Sequence, residues 1–224
     1  KDLPPSAASK TFFPFVRNLL AEVTNIIFVF VIGRRSEYLS SDFNQTFKSA
    51  SMREIWVIDR ASSERLIKQA ENNNSLSFTD DAIERILKLA YGHPYFTQLL
   101  CQTIWQKLHF KKEEESPLVT VKHVDESVLE AIEVGSEALN WLWNGLSPAE
   151  KIYASALAKS IEQDVRYKEK HVFPAELVSV TLAEHAQRLL THDIEISAPK
   201  DLEKRKILIE ASGNEYMFAI ELFR

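Results

Sequence analysis

The chain has 224 residues, of which 45% are hydrophobic and 26% charged, an ordinary globular balance with room for one large domain or two to three small ones. Its five glycines are too few for a fold organised around glycine-rich phosphate loops and favour helices joined by short turns. A formal net charge of −5 makes nucleic acid a poor default partner, and a single cysteine, Cys101, excludes a disulfide framework and a Cys-based metal site and fits a reducing cytoplasm.

The opening Lys-Asp-Leu-Pro-Pro, without Met, reads as a fragment boundary. Residues 10–22 carry apolar groups at Phe12, Phe15, Val16, Leu19 and Leu20, a helical spacing, with Pro14 suited to the first turn. The longest apolar run, residues 26–32, is far too short for a membrane span and has no charged leader, so no membrane association is expected. Its β-branched and aromatic residues ending at Gly33 predict a parallel strand buried on both faces. A polar helix is expected near 38–49, then a second short strand at Ile55–Ile58. Helix, strand, connection, strand is the pattern of a parallel α/β layer, which two strands cannot complete alone.

From residue 62 the period becomes helical. Ser62 or Ser63 is the expected cap of a short helix, and Thr79 that of a helix opening on Asp80-Asp81 with its apolar face at Ile83, Ile86, Leu87 and Ala90. Gly92 stands where a left-handed residue closes a helix, and Pro94 at the first position of the next, which runs to about Lys111. Thr120 opens a long helix through to Trp143. Four helices joined by short loops predict a small bundle. Ser147-Pro148 starts a further helix, with two more expected at 174–180 and 182–190, and three strands at 193–197, 206–212 and 215–222. Three helices followed by a small sheet is the winged-helix order.

The string AIERILKLAYGHPYFTQLLCQTIWQKL is similar to the lid of bacterial and archaeal STAND ATPases, in which a helix ends in Gly-x-Pro and the next begins at the proline. FVFVIGRR resembles their fourth core strand, which ends at the sensor 1 residue; VTVKHVDESVLEAIEVGSEALNWLWNGLSPAEK resembles the lid's last helix and its junction to a winged helix, and GNEYMFAIELFR the closing strand of that domain. The resemblance spans nearly the whole chain. It implies a mixed α/β protein, mostly α: residues 1–60 as the C-terminal part of an AAA+-related nucleotide-binding core with a partial parallel α/β layer, 61–144 as a four-helix lid, and 145–224 as a winged-helix domain.

The same resemblance implies a regulatory ATP switch of a signalling or defence protein. ATP or ADP with Mg²⁺ would sit between core and lid in the complete protein, and exchange or hydrolysis would swing lid and winged helix relative to the core. Residues 26–33 and the Gly92-His93-Pro94 junction would then face each other across the nucleotide cleft. Pro94 matches the proline that lies against adenine, with Gly92 and His93 beside it, although Gly92 and Pro94 are equally explained as a helix end and a helix start, and His93 as a cap. Arg34, with Arg35 as alternate, follows the C-terminal end of the expected strand, the edge where open α/β sheets bind ligands, and a guanidinium there can pair with a γ-phosphate; the plainer reading is a solvated arginine pair.

Two departures are visible. Relatives with a Met-His-Asp latch on the β-phosphate would have it where this chain has Ala219-Ile220-Glu221. No G-x-x-x-x-G-K-[ST] occurs, and no acidic pair for Mg²⁺ precedes residue 26. The chain alone is therefore expected neither to bind nucleotide tightly nor to hydrolyse it, and no catalytic residue is assigned; the missing half or an effector domain is the expected partner, and self-association is open. Six scattered histidines offer no metal-ligand spacing, and Cys101 reads as a buried inert thiol. The alternatives are an initiator-type winged helix that binds nucleic acid through residues 182–190 and Lys204, Arg205 and Lys206, or a non-catalytic scaffold for protein contacts.

Overall fold

A computed structural model describes residues 7–31, 41–51, 53, 55–110, 116–163, 173–186, 188, 191–212 and 215–224. The molecule is a mixed α/β protein, mostly helical, with one small parallel and one small antiparallel sheet. It divides into two compact units, Lys1–Glu54 and Ile55–Arg224.

In the first unit, α1 spans Ala7–Glu22 and α2 Ser41–Thr46. Because α1 begins three residues earlier than the apolar spacing predicts, Pro14 falls inside it rather than in its first turn, where its missing N–H leaves the carbonyl four residues back without a helical donor. Val16 is buried, Phe43 meets Phe13 edge-on at 6.1 Å and Phe47 at 4.5 Å, and Arg17 Nη2 donates to Thr46 Oγ1 at 3.4 Å.

The predicted strand at 26–32 is not a strand over its described part, 26–31. Ile27, Val29 and Val31 are 92%, 83% and 94% exposed. Ile55–Ile58 likewise forms no ladder, with Ile55 85% exposed. A strand is defined by its neighbours' N–H and C=O groups, and neither segment has a paired neighbour among the described residues.

The second unit opens with α3 (Arg60–Ile67), capped by Asp59, whose carboxylate accepts the Ser62 N–H at 2.8 Å. The cap is therefore three residues ahead of Ser62 and four ahead of Ser63, the expected caps: a carboxylate before the first turn satisfies an orphan donor and meets the positive helix end. A 3-10 turn, Lys68–Asn73, ends at left-handed Asn74 (φ 55). Strand β1 (Ser77–Phe78) pairs in parallel with β2 (Leu118–Val119), joining Ser77 to Leu118 and Phe78 to Val119. Between them lie α4 (Asp80–Ala90), capped by Thr79 Oγ1 on Ala82 N at 3.3 Å, and α5 (Pro94–Phe110).

The long helix expected after Thr120 is two, α6 (Val121–Val134) and α7 (Ser136–Asn144), parted at Gly135. A Cβ on Gly135 would lie 2.5 Å from Leu99 Cδ2, the far end of a side chain on α5, and glycine weakens a helix at the point where these two part. Ile83, Ile86, Phe96, Leu100, Ile104 and Val124 form the centre of the first core.

Helix α8 (Pro148–Gln163) begins with a reciprocal cap: Glu150 Oε2 accepts the Ser147 N–H at 2.6 Å and Ser147 Oγ accepts the Glu150 N–H at 3.3 Å. Then come β3 (Phe173–Pro174), α9 (Ala175–Ala186), α10 (Ala198–Lys204), β4 (Leu208–Ser212) and β5 (Glu215–Phe218). The sheet is antiparallel in the order β3-β5-β4. The strand expected at 193–197 is a π-helical turn, Asp193–Ser197, leading into α10. Ile194 is buried in the second core while Ile196 is 47% exposed, and β3 takes the sheet position a third consecutive strand would have filled. The expected helices at 174–180 and 182–190 are continuous through Ala186 as α9, with most of 187–190 outside the described residues. Tyr153, Leu157, Ile161, Val178, Leu202 and Leu208 fill the second core.

Candidate functional site

A tight left-handed turn with unsatisfied polar groups lies between α4 and α5. Tyr91 (φ 48) closes α4, its N–H on the Leu87 carbonyl at 2.8 Å, and Gly92 (φ 70) follows in the same left-handed region. Two such residues in succession reverse the chain within one turn, and Pro94, its φ fixed and its N–H unneeded, starts α5. His93 N donates back to Ala90 O at 2.9 Å and His93 O accepts the Thr97 N–H at 3.0 Å, so the histidine is held from both sides.

Gly92 is held against the segment before α3. Ile58 N donates to Gly92 O at 2.9 Å, and a Cβ on Gly92 would stand 2.6 Å from the Ile58 carbonyl oxygen and 3.1 Å from Ser63 Oγ. Only glycine satisfies both the positive φ and that approach. The contact brings Trp56 onto the junction: its ring meets His93 edge-on at 4.9 Å, and His93 lies 4.7 Å from Phe96. His93 Nδ1, Trp56 Nε1 and Thr97 Oγ1 are buried with no hydrogen-bond partner among the described residues. Burial among aromatic rings holds the His93 pKa below the usual imidazole value, against the smaller opposing effect of a backbone hydrogen bond, so the ring is neutral near pH 7. Unpartnered buried polar groups are costly, so their concentration at one turn marks the place in the described residues where polar chemistry is least satisfied.

Of the residues singled out in the sequence, Gly92, His93 and Pro94 are therefore brought together with Trp56, Ile58 and Ser63. Gly33, Arg34 and Arg35 lie outside the described residues. Trp56 was legible only as a strand residue; its size in an otherwise aliphatic run is the one signal that marked it. Cys101 is a free thiol that burial pushes up to about 12, a poor nucleophile. Among the described residues no group of histidine, cysteine and acidic side chains could hold a metal ion, and no helix is long and apolar enough to cross a membrane.

The C-terminal triplet behaves unlike a phosphate latch. Ile220 is buried in the first core, and Glu221 accepts from Arg85 Nη1 of α4 at 3.1 Å. Of the three candidate wing cations, Lys204 pairs with Asp201 at 3.1 Å, and Arg205 pairs with Glu150 Oε1 at 2.6 Å and donates to the Gly145 carbonyl at 3.1 Å.

No family model matches the chain, and no curated protein matches it. Among solved structures it is similar to the Thermotoga maritima RuvB Holliday junction branch migration motor, at 18% identity over 95% of this chain and 62% of that one, with a TM-score of 0.46. An alanine-to-serine mutant of the same motor matches at 19% identity over 95% of this chain and 63% of that one, with a TM-score of 0.44. The chain thus spans less than two thirds of these structures.

Proposed function

We propose that this chain is the lid and winged-helix portion of an AAA+-related nucleotide switch of the STAND type, with residues 1–60 belonging to its nucleotide-binding core. The observation that carries the reading is the Gly92-His93-Pro94 junction. It is immobilised on Ile58, and beside it the buried His93 Nδ1 and Trp56 Nε1 lack partners, one an acceptor or donor according to tautomer and the other a donor. That pair suits the edge of a purine base, and Pro94 its face. The order helix, strand, helix, helix, strand, strand in residues 148–218 supports the winged-helix assignment.

The residues present fit the base end of ATP or ADP and not the phosphate end, because the sequence has no phosphate-binding loop. When bound, Mg²⁺-ATP would supply the γ-phosphate charge that such a switch reads, and Arg34, with Arg35 as alternate, is the proposed sensor. A cytoplasmic setting and self-association belong to the same proposal, as does a further segment that brings the phosphate loop. The nucleic-acid reading has less support, since Lys204 and Arg205 are already engaged within the chain.

The test is an NMR titration of the 224-residue chain with AMP and with ADP up to about 1 mM, a range in which a base contact alone binds measurably. The Trp56 indole N–H and the His93 ring protons should shift, and His93→Ala should abolish the Trp56 response. Unmoved Trp56 and His93 signals would sink the assignment, and micromolar ATP binding by this chain would contradict the claim that the phosphate end is missing.

A further inference from the structure

Within Ile55–Arg224 the chain passes between its two hydrophobic cores twice. The first passage is at Gly145, between α7 and α8. The second is between Ala219, whose N–H is bonded to Ile207 O at 2.8 Å beside the β4–β5 ladder, and Ile220, which is 2% exposed and packs in the other core. Leu222 follows Ile220 into that core, and Phe223 touches both cores, its ring 6.2 Å from that of Trp143. Arg85 of α4 bonds Glu221 at 3.1 Å and Asp125 of α6 at 2.7 Å, so the C-terminal turn is tied to two helices of the first core. The first passage is held from the sheet-bearing module only: Arg205 binds the Gly145 carbonyl and the Glu150 carboxylate that caps α8.

We propose that residues 220–223 are a clasp that makes the helical bundle and the sheet-bearing module move as one rigid lever, and that release of this clasp is the step by which the two are uncoupled. One tether leaves two modules free to rotate about it, which is the default for modules joined by a modest interface. A second crossing, fixed to the bundle by Ile220, Leu222 and the Arg85–Glu221 pair and to the sheet-bearing module by the Ala219 N–H, removes that freedom. Separation requires Ile220 and Leu222 to leave a packed core and Glu221 to leave Arg85 together, so the device is two-state rather than gradual. The clasp does not depend on whether a nucleotide binds at Gly92-His93-Pro94.

The experiment places spin labels at Lys122→Cys on α6 and Lys159→Cys on α8, both exposed, in a Cys101→Ala background, and reads the distance distribution of the full chain. One narrow peak is expected, and it should be lost to a broad distribution in Glu221→Lys and in Leu222→Ala while helical circular dichroism is retained. A broad or two-peaked distribution in the unsubstituted chain overturns the proposal, as does a narrow peak that survives both substitutions. Should the variants fail to fold, hydrogen exchange of the unsubstituted chain decides: amides in the two cores should open with one common urea dependence, and two different dependences refute the rigid lever.

Discussion

The Arg85 guanidinium on α4 reaches the Glu221 carboxylate at 3.1 Å, joining residues 136 positions apart in the chain. Both side chains are largely covered, 25% and 12% exposed. Burial alone would lower the Arg85 pKa, but its bonds to Asp125 and Glu221 outweigh that and hold it above the usual value. Arg85→Ala removes the largely covered pair with Glu221 together with the Asp125 bond, and the expected loss of stability is about 1–3 kcal/mol. Urea denaturation measures it. A loss under about 0.5 kcal/mol would place the pair with ordinary surface bridges.

Two glycines near the junctions should respond in opposite directions. Gly92→Ala must accept φ 70 and a methyl group 2.6 Å from a backbone oxygen, so it should lose more than about 1 kcal/mol. Gly145 has an ordinary φ of −73 with its nearest neighbour at 3.4 Å, and Gly145→Ala should be neutral or stabilising by up to about 1 kcal/mol. Paired denaturation curves test both, and equal losses would mean that neither geometry matters.

Glu150 performs two tasks, capping α8 and pairing with Arg205, while 2% exposed. Glu150→Ala removes both and leaves a mostly buried guanidinium, so a cost of about 3 kcal/mol is expected. Glu150→Gln keeps an acceptor for the Ser147 N–H and should cost less. Thermal unfolding of the two variants ranks them, and the reverse ranking would show that the cap is immaterial.

The buried His93 gives a pH signature. Its folded-state pKa is depressed below the reference 6.5, so the unfolded chain binds the extra proton first. Its contribution is complete above 6.5, falls as pH drops from 6.5 toward the folded value, and levels off below it. Comparing stability at about pH 7.5 and about pH 5, the unsubstituted chain should lose more than His93→Phe, which has no proton to take up. Parallel losses in the two proteins would show that His93 titrates normally.

What could be read in the sequence was local. Thr79 before Asp80-Asp81, Ser147-Pro148 and Pro94 after Gly92 each mark a helix end, and each stands where the pattern put it. The left-handed turn at Gly92 was legible for the same reason, although Tyr91 shares it.

Other features depend on partners far away. Residues 26–31 have the composition of a buried strand, yet a strand exists only where another lies beside it, and composition does not supply one. Residues 193–197 alternate like a strand but coil into a π turn because Ile194 fits the second core and β3 occupies the sheet. The attachment of Trp56 to His93 follows from the Ile58 to Gly92 hydrogen bond. The sequence by itself determined the helix ends marked by Thr79, by Ser147-Pro148 and by Gly92 with Pro94, because such end signals act within one or two turns. Only the tertiary structure decided which apolar segments are covered and that the last turn of the second module belongs to the first core, because burial is shared between residues more than a hundred positions apart.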